Sequence, residues 1–325
     1  MRLQTRLTEF LGIAHPILGA PMAFAAGGKL AAAVSAAGGL GLIGGGYGDP
    51  DWVEREFAAA GNARVGCGFI GWSIAERPEA LERALAHAPA AVMVSFADPA
   101  LFAGAIKRAG SALICQVQTM EHARAALDSG ADIVVAQGTE AGGHGGNRAT
   151  FTLVPEVADL LAGRSPDTLL VAAGGVADGR GLAAALMLGA DGVLVGSRFW
   201  ASPEAAVHAN HHDAALAANG DGTIRQRATD IARLLDWPAE FTGRVLRNDF
   251  TERWHGREDE LRVQAERLNP AYMAGVAAGD PDNVGVWVGE ATGMIHAIAP
   301  AGEIVAGMVA QAAALLSRRG PGLVR

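Results

Sequence analysis

Eight short apolar runs at near-regular spacing constrain this chain more than any other feature. They are PILGAPM (16–22), LGLIGG (40–45), RVGCGFI (64–70), AVMVSF (91–96), ALICQVQ (112–118), DIVVAQG (132–138), LLVAAGG (169–175) and GVLVGS (192–197). Their starts lie mostly about 20 to 28 residues apart, and stretches such as PEALERALAHA and DGRGLAAALMLG between them read as helices. That alternation is the pattern of strand–helix units and a parallel sheet. SGADIVVAQG and LGADGVLVGS each set Gly-Ala-Asp between a helix end and a strand, with Gly as the left-handed cap. Eight units within roughly 200 residues predict a closed (β/α)8, or TIM, barrel rather than an open doubly wound sheet.

After Trp200 the pattern changes. PEAAVHANHHDAALAANG and the charged segment from Thr223 to Glu266 read as helical, without strand-like runs. The expected organisation is a barrel of residues 1–205, a smaller helical domain of residues 206–289, and a closing barrel helix supplied by 290–325, where apolar residues recur at helical spacing. Two segments match G-x-G-x-x-G, Gly39 to Gly44 and Gly66 to Gly71. The first is itself a strand and the second has its glycines inside one, so neither has the strand-turn-helix setting of a dinucleotide fingerprint.

Net charge is −8, and no basic stripe interleaved with aromatics occurs, which argues against a nucleic-acid surface and for small-molecule partners. Cys67 and Cys115 sit in separate strand-like runs without CxxC spacing, as expected of free thiols in a reducing compartment. The start, MRLQTRLTEF, has no apolar core of a signal peptide, and no 18-residue apolar span follows. A cytoplasmic protein without membrane contact is expected, as a monomer or a homo-oligomer.

In such a barrel the active site forms from the loops after the strands, and phosphate groups are held after strands seven and eight. Strand seven ends in Ala173-Gly174-Gly175 and strand eight in Gly196-Ser197, where glycine lets backbone N–H groups approach phosphate oxygens. Gln116 and Gln118 share one face of strand five and suit a polar heterocycle, or they stabilise the loop. The long gap after strand six holds GTEAGGHGG, where glycines clear space around His144. An imidazole titrates near neutrality and can serve as a base or a hydrogen-bond donor. Glu140 either orients His144 or binds backbone. His208 and His212 share a helix face but lack a third ligand, so no metal is expected. Trp237, Trp254 and Trp287 read as core.

Taken together and in order, GAPM, QGTEAGGHGG, AAGGVADGRG and GADGVLVGSRF resemble the nitronate monooxygenase family, formerly 2-nitropropane dioxygenases, over residues 12 to 204, with a weaker echo in GVWVGEATGMI. The resemblance implies a TIM barrel with a helical second domain and non-covalent FMN. It places Pro21, Met22, Gln116 and Gly143 against the flavin ring, and Gly174, Gly175, Gly196 and Ser197 on its phosphate. Gly68 stands at the flavin contact where relatives often carry Asn. His144 becomes the active-site base or donor. The implied reaction is oxidation of an alkyl nitronate, or nitroalkane, with O2 to an oxo compound and nitrite. Two other readings fit the same barrel: an NAD(P)H-dependent FMN reductase of quinones or enoyl thioesters, and a non-redox barrel binding a phosphorylated ligand.

Overall fold

The computed structural model describes residues 3–323. Its strands are β1 (Ile17–Gly19), β2 (Leu40–Gly46), β3 (Gly66–Ile70), β4 (Ala91–Ser95), β5 (Ala112–Val117), β6 (Ile133–Gln137), β7 (Gly143–Gly145), β8 (Leu169–Ala173), β9 (Gly192–Val195), β10 (Thr223–Gln226) and β11 (Thr242–Leu246). Strands β1 to β6, β8 and β9 pair in parallel and close into a barrel, β9 returning to β1 through Leu18 and Leu194. All eight expected runs are barrel strands.

Alternation along each strand divides the core in two. Leu18, Leu42, Met93, Ile114, Val135, Val171 and Leu194 fill the barrel interior. Ile17, Ile43, Val92, Cys115, Val134, Ala172 and Val193 face the helices. The interior is plugged at the N-terminal end by Leu7 and Leu11 of the helix Arg6–Leu11, which Thr5 caps. Plugging one end leaves the C-terminal ends of the strands as the open mouth.

The two Gly-Ala-Asp repeats act alike. Gly130 and Gly189 end their helices with φ of 74° and 97°, values costly for any residue with a Cβ. Asp132 then accepts from the Leu113 N–H of the neighbouring strand at 2.7 Å, and Asp191 from Leu170 N–H at 2.9 Å. The helix Ala301–Leu323 packs against Gly179–Met187 and Gly28–Ala36, the helices flanking the β9–β1 closure.

One expectation is corrected. The segment after Trp200 is not wholly helical: β10 and β11 pair antiparallel, and β11 pairs with β7 of the loop after β6, Gly243 opposite His144. These strands, TIRQ, TGRVL and GHG, are short and carry Arg or Gly where an apolar run would have marked them. Helices Ala209–Ala217, Ala228–Ala232 and Glu258–Ala278 make up much of the remainder.

Candidate functional site

The barrel mouth opens into a cavity of about 600 Å³. All ten singled-out residues line it: Pro21 and Met22 after β1, Gly68 in β3, Gln116 in β5, Gly143 and His144 in β7, Gly174 and Gly175 after β8, and Gly196 and Ser197 after β9. Residues from strands far apart in sequence converge because the closed barrel brings every C-terminal strand end to one rim. Phe24 and Phe96 also line it, with strained left-handed φ of 61° and 62°.

His144 is enclosed. Its Nε2 lies 2.9 Å from Asp230 Oδ2, and its ring stacks on the Trp237 indole with centroids 3.4 Å apart and planes 4° from parallel. Trp237 is only 2 % exposed and donates from Nε1 to the Tyr47 hydroxyl at 3.1 Å. Burial pushes the His144 pKa below the ordinary histidine value; Asp230 opposes the fall, and Arg233 and Arg225 add to it. The imidazole is therefore held neutral near pH 7.

Amides form a relay beneath it. Gln116 and Gln118 both donate from Nε2 to Gln137 Oε1, at 3.2 and 2.9 Å, and Gln137 donates to the His144 carbonyl at 3.0 Å. Gln116 reaches the cavity, whereas Gln118 is buried and serves the loop. Glu140 binds backbone rather than His144: both its oxygens accept from Thr150 N–H, and Oε2 also from the Thr150 hydroxyl at 2.8 Å. It thereby caps the helix Thr150–Arg164, whose own cap residue, Ala149, has no side-chain oxygen.

The glycines around His144 divide by role. Gly143, at φ 74°, has open space where a Cβ would stand. A side chain at Gly142 would strike Gly289 N at 2.6 Å, at Gly145 the Gln137 amide at 2.8 Å, and at Gly146 Gln118 at 2.9 Å. Only part of this Gly-rich stretch clears the cavity; the rest lets backbones approach. Arg225 fixes the same loop, donating to the carbonyls of Thr139, Ala141, Gly145 and Thr242, and Arg244 donates to Thr139 O while pairing with Glu290 at 2.9 Å.

Several participants escaped sequence reasoning. Asp230 lies 86 residues from His144 and carries no local motif. Trp237 and Trp287, expected in the core, line the cavity, while Trp254 is in the core as expected. Gly289, in the terminal echo GVWVGEATGMI, donates to the Ser197 hydroxyl at 2.9 Å. His208 caps its helix by accepting from Asn210 N–H, and half-buried His212 meets the Trp200 carbonyl rather than solvent. Among the described residues no cluster of three or more His, Cys, Asp or Glu could hold a metal, and no helix is long and apolar enough to cross a membrane. Both cysteines are free and buried, their pKa values pushed up to about 12 by burial.

Glycine backbone shapes this mouth. Gly68 leaves room for the Pro21 ring, which a Cβ there would overlap, Gly174 and Gly175 turn through left-handed φ of 101° and 74°, and Gly196 precedes the helix Ser197–Trp200 without a side-chain cap. The nitronate monooxygenase family model matches residues 4–64 and 73–311, leaving out the stretch that carries Gly68. A nitronate monooxygenase of Neurospora crassa is 32% identical, covering 89% of this chain and 86% of its own. Among solved structures, FabK from Thermotoga maritima superposes with a TM-score of 0.86 at 31% identity, covering 99% of this chain and 100% of its own. A nitroalkane oxidase from Streptomyces ansochromogenes gives 0.79 at 25% identity, covering 97% and 100%.

Proposed function

This chain belongs to the nitronate monooxygenase family of oxidoreductases, and on that premise we propose that it holds FMN and oxidises alkyl nitronates with O2 to an oxo compound and nitrite. The observation that carries the reading is a buried imidazole, His144, on the wall of a cavity that Gly174, Gly175, Gly196 and Ser197 also line. Those four would hold the phosphate through backbone N–H groups and the Ser197 hydroxyl. Pro21, Met22, Gly68 and Gly143 would flank the ring, with Gln116 supplying a hydrogen bond. When bound, FMN supplies the redox chemistry between nitronate and oxygen.

The protein's own part is binding and proton management. His144 removes the α-proton of a neutral nitroalkane and, once protonated, donates a hydrogen bond to the nitronate that results. The aromatic wall of Trp237, Trp287 and Phe96 keeps water from the reacting carbon.

Mixing the purified protein anaerobically with NADH, NADPH or propionate 3-nitronate, while following flavin absorbance, tests the reading. Bleaching by the nitronate is expected. Rapid bleaching by a nicotinamide with no response to nitronate would replace it with the flavin reductase of quinones or enoyl thioesters. A colourless protein that binds no FMN would leave the phosphate-ligand barrel.

A further inference from the structure

We propose that Asp230 is a positioning residue that fixes the proton of His144 on Nε2, leaves Nδ1 as the base toward substrate, and offsets the charge the ring gains. The inference rests on the reading of His144 above. Asp230 is 2 % exposed and its Oδ2 meets His144 Nε2 at 2.9 Å. A carboxylate only accepts, so Nε2 must donate and the lone pair of a neutral ring lies on Nδ1. Nδ1 has no protein partner among the described residues, and His144 lines the cavity.

Two features show that this geometry is built rather than incidental. The Asp230 helix, Ala228–Ala232, is locked by the buried Gln226 side chain, which accepts from Thr229 N–H at 3.0 Å and donates to the Thr229 hydroxyl at 2.7 Å. Stacked Trp237 fixes the imidazole plane. The second Asp230 oxygen, Oδ1, is buried with no hydrogen-bond partner, so the carboxylate spends its one side-chain hydrogen bond on His144. A buried half-satisfied carboxylate costs stability, and it caps no helix end here. The other charged or titratable groups facing the pair are Arg233, Arg225, Tyr47 and Tyr272.

The step is a proton transfer. The α C–H bond of a neutral nitroalkane breaks, N–H forms at Nδ1, and the electron pair moves into the nitro group to give the nitronate. The ring becomes a cation in a buried site, where Asp230 offsets it. A substrate supplied as the nitronate needs no such transfer, so it depends less on Asp230.

The test compares holoenzyme carrying Asp230→Asn or Asp230→Glu with wild type, on nitroethane and on preformed ethyl nitronate. Asp230→Asn should lower kcat for nitroethane by about 10²–10⁴-fold, by analogy with neutralising the carboxylate of a catalytic triad, and kcat for the nitronate by less than roughly tenfold. Asp230→Glu should recover much of the loss, and FMN content should not change. The acidic limb of kcat/KM for nitroethane should move to lower pH in Asp230→Asn, because the influence that raises the His144 pKa is gone. Nitrogen-15 NMR of histidine-labelled protein should show His144 protonated at Nε2 in wild type and a changed tautomer balance in Asp230→Asn. Equal losses on both substrates, or protonation at Nδ1 in wild type, would overturn the proposal. If wild type turns over neither compound, the nitronate reading fails alone and the tautomer still decides on Asp230.

Discussion

A Cβ at residue 174 would stand 2.8 Å from the Thr150 hydroxyl and 2.9 Å from the Gly138 carbonyl, on a backbone at φ 101°. Gly174→Val should therefore cost stability, on the order of 1–3 kcal/mol for the strained backbone, and weaken FMN retention, measured by dialysis and flavin fluorescence. Retention equal to wild type would sink the phosphate assignment. His144→Ala should stay yellow and lose turnover of neutral nitroalkanes. The same residue sets a pH signature. Its folded pKa is lowered, so the unfolded state takes up the proton first, and stability is full above about pH 6.5 and declines as pH falls below it. Half-buried His211, also lowered by burial, acts in the same sense. Thermal midpoints should drop from pH 8 to pH 5, and His144→Gln should flatten that drop. His144 was legible from its setting among glycines; Asp230 and Trp237 were not, because only the closed fold places residues 86 and 93 positions away, by subtraction of 144 from 230 and 237, against its ring.

Elements were legible where burial on both faces writes itself into the letters. The barrel strands read as near-continuous apolar runs for that reason. The Gly-Ala-Asp repeat was legible as a helix end, but its aspartate's role was not: each accepts a backbone N–H from the strand beside it. Asp132→Ala and Asp191→Ala should each cost about 1–2 kcal/mol by denaturant unfolding, the loss of a charge-assisted hydrogen bond to a backbone N–H in the barrel. The sheet β10–β11–β7 was illegible because its strands are short and polar, and its arginines look like a solvated face. Arg225 is instead mostly buried, its pKa lowered to about 10 by burial, and it holds four backbone carbonyls together. Arg225→Met should lower the thermal midpoint and loosen the loop carrying His144, seen as faster amide hydrogen exchange over residues 139–146. Unchanged exchange there would show that β-pairing alone holds the loop.

At the scale of the whole molecule, the cavity is shared. The barrel supplies the glycine rim and the amide relay, while residues after Trp200 supply Trp237 and Trp287 to the wall, Asp230 as the partner of His144, and the strand that pairs with it. The junction includes a crossing where Gly142 and Gly289 approach each other's backbone: Glu290 N–H donates to Glu140 O at 2.9 Å, and Gly289 N–H to the Ser197 hydroxyl. A Cβ at 289 would stand 2.7 Å from Gly142 N and 2.5 Å from Glu140 O, backbone atoms that cannot swing aside. Gly289→Ala should therefore force the two segments apart, lowering the thermal midpoint and, through Ser197, FMN retention together. Gly307→Ala is the matched control, a helical glycine with open space where its Cβ would stand. It should leave FMN binding unchanged and raise stability by up to about 1 kcal/mol through helix propensity. If Gly289→Ala unfolds no earlier than wild type and retains its flavin, the crossing is not what couples the later segment to the barrel mouth, and the β7–β11 pairing must carry that coupling instead.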